Sequence, residues 1–64
     1  MELPEHIWGA ILSREKKQVS RAFSLLDKTE QDMVIEHLKH MSQDEGWHPE
    51  QVKSAKIALK VLLP

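Results

Sequence analysis

The stretch Gly46-Trp47-His48-Pro49-Glu50 constrains the fold more than any other five residues in the chain. Glycine is the residue type that takes a left-handed conformation at a helix end without steric cost. Proline suits the first turn of a helix, where its missing N–H is no loss. One helix therefore has to end near Gly46 and another has to begin at Pro49. The indole of Trp47 is placed to clamp the joint.

The rest of the chain reads as helix too. Apolar residues recur at helical spacing and no segment alternates long enough to make a strand. The pattern predicts an all-α, compact bundle of four short helices, at about 4–12, 15–26, 30–43 and 49–63, in one domain covering residues 1–64. In the first helix, Ile7, Trp8, Ile11 and Leu12 share a face, and Pro4 is expected at the first helical position. Ser13 is expected to break the chain and cap the second helix. That helix carries the stripe Val19, Ala22, Phe23 and Leu26, with Leu25 to one side. Thr29 and Asp32 have the spacing of a capping box for the third helix. Its apolar face centres on Val34, Leu38 and Met41, with Met33 and Ile35 on the flanks.

The last helix is apolar over most of its circumference; only Lys53, Lys56 and Lys60 form a polar stripe. It is expected at the centre of the bundle, contacted by the other three helices or shared with a second subunit. The chain has 64 residues and no cysteine, so neither disulfides nor thiolate metal sites can reinforce a small core. Helix packing or oligomerisation must do so.

Charge is segregated although the formal net charge is only −1. Residues 13–21 hold Arg14, Lys16, Lys17 and Arg21 against one acid, Glu15. Residues 27–50 hold seven acids against Lys28 and Lys39. On the second helix Arg14, Lys17 and Arg21 are expected to project together as a basic face. Such a face is most simply a solvated surface, and otherwise a contact for an acidic partner or a phosphate backbone.

Four histidines invite a search for chemistry. His40 and Asp44 share a helix face, with His37 and Glu36 close by. His37 is expected half-buried between Met33 and Met41, and His40 exposed. No glutamate lies between paired histidines in the metalloprotease pattern, and no glycine-rich phosphate loop or nucleophile elbow is present. His48 is placed to fold over the start of the last helix or to reach Asp44 and Glu45. Trp8 and Trp47 are either core anchors or interface hot spots. A core role is the simpler expectation for both.

These features lead to a non-enzymatic protein–protein interaction module, with a homodimer as one form. The candidate partner-binding residues are Trp8, Trp47, His48, Arg14, Lys17 and Arg21. No cofactor, metal or small-molecule substrate is expected, and the partner is another protein or a second copy. No apolar run approaches the ~20 residues of a membrane span. The acidic N-terminus lacks the basic start of a secretory signal, so a cytoplasmic location is the default. The alternative is nucleic-acid binding through a helix-turn-helix-like pair and the basic face of the second helix. The acids Glu30, Asp32 and Glu36 on the third helix count against it, because a reader of base edges needs the opposite sign. A histidine switch responding to pH or metal is a third reading.

Overall fold

The computed structural model describes residues 3–63. Four helices follow in order: α1 (Glu5–Ile11), α2 (Lys16–Ser24), α3 (Lys28–Gln43) and α4 (Pro49–Leu62). The chain is an all-α bundle, with no strand among the described residues. Its longest extent is 29 Å.

The helix ends are where the local chemistry corrects the expectation. Pro4 is the N-cap of α1 with ψ 147°, one position ahead of the first turn. Its carbonyl accepts from the N–H groups of Ile7 and Trp8. The break after α1 is present, but Ser13 does not cap α2; Glu15 occupies that position. Ser13 works backwards and forwards instead. Its hydroxyl donates to the Ala10 carbonyl at 2.7 Å and accepts from the Glu15 N–H at 3.2 Å. Arg14, between them, takes φ 69°.

α2 stops at Ser24 rather than Leu26, and α3 starts two residues earlier than expected. The reason is the capping box that forms. Asp27, not Thr29, is the cap: its carboxylate accepts from the Glu30 N–H at 2.8 Å. The Glu30 carboxylate in turn accepts from the Asp27 N–H at 3.1 Å. A Ser, Thr or Asp cap with Glu three residues on satisfies two orphan donors at once. Asp32 is drawn to Lys28, 2.8 Å away one turn back. Gln31, one turn into α3, reaches back across the connection. Its side-chain amide donates to the carbonyls of Phe23 (3.0 Å) and Leu26 (3.2 Å), covering the otherwise open end of α2.

Gly46 takes φ 97°, the left-handed conformation its identity foretells, but two residues beyond the C-cap Asp44. Pro49 opens α4, with His48 as the N-cap.

The core contains Ile7 and Ile11 from α1, Val19 and Ala22 from α2, Val34, Leu38 and Met41 from α3, and Ala55 and Ala58 from α4, joined by Leu3. These are the central positions of the expected apolar stripes. The principal packing runs α1 on α2, α2 on α4 and α4 on α3. α4 thus links the two halves of the bundle, with α2 and α3 as its chief neighbours. Leu25, expected off the stripe of α2, is 73% exposed. No described helix is long and apolar enough to cross a membrane.

Candidate functional site

α1 is too short to hold a helical shape by itself. Besides its packing on α2, an aromatic chain ties it to the far side of the bundle. The ring of Trp8 lies 4.9 Å from the ring of His37, tilted by 54°. His37 meets Trp47 edge-on, with centroids 5.8 Å apart and planes at 83°. The three rings connect α1, α3 and the α3–α4 joint, in geometries that aromatic quadrupoles favour. His37 is exposed, not half-buried among methionines as its place on the helix implied. It stands on the surface as the middle of the three rings.

Neither tryptophan belongs to the fully buried core. Both are half-buried and packed against it. Trp47 reaches from the α3–α4 joint onto His37 of α3. Trp8 has an open side. It lines a groove of about 760 Å³ with Leu3, Met33, Glu5, Glu36, His37 and His40. Met33 is 38% exposed there, while Leu3 is buried. His40 is held along the edge of α3: its Nδ1 lies 3.0 Å from an Asp44 oxygen, and its Nε2 lies 3.5 Å from a Glu36 oxygen. Among the described residues, no three His, Asp or Glu side chains gather in a way that could hold a metal ion.

The other sequence candidates take separate places. His48 is spent on its own helix. Its Nδ1 accepts from the Glu50 N–H at 3.3 Å, and its backbone N–H donates to the Gln51 side chain at 3.1 Å. Arg14 is spent on α4. Its guanidinium donates to the Ser54 hydroxyl (3.0 Å), the Glu50 carbonyl (3.0 Å) and the Glu50 carboxylate (3.4 Å). Lys17 and Arg21 remain exposed on α2, one turn apart. The structure therefore brings Trp8 and Trp47 together through His37, and directs Arg14 away to α4.

Sequence reasoning missed Leu3, Met33 and Glu36 as parts of one groove. Met33, Glu36, His37 and His40 do share one face of α3 by their 3–4 spacing. What the spacing does not reveal is that α1 lies beside that face. Comparison with known proteins finds no matching family model, no matching curated protein and no matching solved structure.

Proposed function

We propose that this chain is a small non-enzymatic protein–protein interaction module that binds through the Trp8 groove. One observation carries the reading. A tryptophan, a methionine and a leucine line an open surface groove together with two carboxylates, Glu5 and Glu36, and the imidazoles of His37 and His40. Indole gives a large contact area with few rotamers to freeze, and such residues dominate binding energy at interfaces. Carboxylates beside it favour a partner carrying lysine or arginine, whose cation can sit over the ring face. The groove is open, and its described lining pairs no nucleophile with a base, so it supports recognition better than catalysis.

The test is selection of ligands from a random peptide library on the intact protein, followed by amide shift mapping. Selected peptides should carry basic and aliphatic residues. Their binding should move the signals of Trp8, Met33, Glu36 and His37 and weaken at least tenfold in Met33→Ser, a change worth ~1.4 kcal/mol. Peptides that map instead to Lys17 and Arg21, or a groove that selects none, would refute the reading.

A further inference from the structure

α4 turns its small residues inward. Ser54, Ala55 and Ala58 are the ones it buries. Its large side chains are buried less deeply: Leu63 is 51% exposed and Ile57 36%, Val52 is half-buried, and Leu59, Val61 and Leu62 pack half-buried against the core. On the helix wheel Leu59 and Leu63 fall together one turn apart, across the lysine stripe from Ile57; exposed aliphatic side chains grouped in this way mark a candidate interface. Leu59 and Leu63 lie in a second open groove, framed by Lys39, Lys56 and Lys60 at the α3–α4 packing. Among the described residues, none of these three lysines forms an ion pair.

The two grooves are complements. One is lined by Trp8 and Met33 with the carboxylates of Glu5 and Glu36; the other is lined by Leu59 and Leu63 with the ammonium groups of Lys39, Lys56 and Lys60. We infer that the occupant of the Trp8 groove is a second copy of this chain, which lays Leu59 and Leu63 on Trp8 and Met33 and sets Lys56 and Lys60 against Glu36 and Glu5. The inference rests on the reading of the Trp8 groove as the interaction site. Lysine stems cover apolar surface while their heads reach toward carboxylates, so the match is one of apolar character and of sign. The same contact removes Leu59 and Leu63 from water. It also gives the segregated charge of a nearly neutral chain a use, because complementary potentials select the partner and its orientation.

Sedimentation equilibrium of the intact chain, from dilute to concentrated solution, tests this with charge reversals. The wild type should self-associate, more tightly at low salt, since exposed pairs are screened. Glu36→Lys and Lys56→Glu should each weaken association by about tenfold or more. The double variant, in which the reversed charges face each other again, should recover to within about threefold of wild type. Circular dichroism establishes that each variant is folded; should a reversal unfold, Glu36→Gln and Lys56→Gln replace it and must each weaken association. A wild type that stays monomeric throughout, or an association indifferent to both charges, overturns the inference. A monomer whose Trp8 groove still binds library-selected basic peptides also overturns it, while leaving the interaction reading intact. Loss of both would end that reading as well.

Discussion

The Nε–H of Arg14 donates to the Ser54 hydroxyl at 3.0 Å, joining the α1–α2 connection to α4 across forty positions of sequence. Ser54 passes the link on, donating to the Glu50 carbonyl at 3.1 Å. The same arginine holds a backbone φ of 69°, where an ordinary residue is strained by about 1–2 kcal/mol. The side-chain bonds thus offset a backbone cost, and the two effects can be separated by mutation.

Arg14→Ala should destabilise the fold, because it keeps the strain and removes the clamp. Arg14→Gly removes both and should be about 1 kcal/mol more stable than Arg14→Ala. In a domain of this size that difference is about 4–8 °C in Tm, readable by thermal circular dichroism. Equal stability of the two variants would mean that the left-handed backbone carries no strain.

The chain's two glycines should respond in opposite directions. Gly9 lies within α1, and a Cβ placed there meets nothing within 4 Å. Gly9→Ala should stabilise by about 0.5–1 kcal/mol, since glycine in a helix interior costs that much relative to alanine. A Cβ on Gly46 also meets nothing, yet φ 97° makes Gly46→Ala destabilising by about 1 kcal/mol. Denaturant unfolding of the two variants reads both signs.

The third helix offers a choice between two overlapping capping boxes. Asp27→Ala should cost about 1 kcal/mol, because it removes the acceptor of the Glu30 N–H. Thr29→Ala, on an exposed residue in the first turn, should stay within about 0.5 kcal/mol of wild type. The reverse order in an unfolding series would place the helix start where spacing alone first suggested it.

His37→Ala should release both tryptophans from their central ring. The two ring contacts are on the surface, so a loss of about 1 kcal/mol is expected. His37→Phe should retain more stability than His37→Ala. Unchanged stability in His37→Ala would show that the ring chain does not hold α1 in place.

Much of this architecture is legible in the sequence. The 3.6-residue period places Val34, Leu38 and Met41 in the core and Leu25 outside it, because both facts depend only on a helix wheel. The capping box is legible in principle, since Asp27 and Glu30 have the right spacing, but Thr29 and Asp32 share it and the stronger acceptor pair wins. Arg14 is another matter. Its guanidinium bonds to residues some forty positions away, which no local pattern records. Its basic character suggested a free surface cation, whereas its guanidinium serves the fold. The groove was legible only in halves: Trp8 from α1 and the Met33–His37 face from α3. Their meeting is a fact of packing. The over-apolar wheel of α4 did signal more apolar residues than the bundle buries: Ser54, Ala55 and Ala58 face inward while Leu63 and Ile57 stay exposed.

If α4 of another copy covers the Trp8 groove, Trp8 itself reports it. In Trp47→Phe, Trp8 is the sole indole, and its emission and acrylamide quenching can be followed from dilute to concentrated solution. Trp8 should be red-shifted and readily quenched when dilute, with a blue shift and protection as concentration rises, absent in the same chain carrying Lys56→Glu. Emission and quenching that stay constant over the whole range would contradict it.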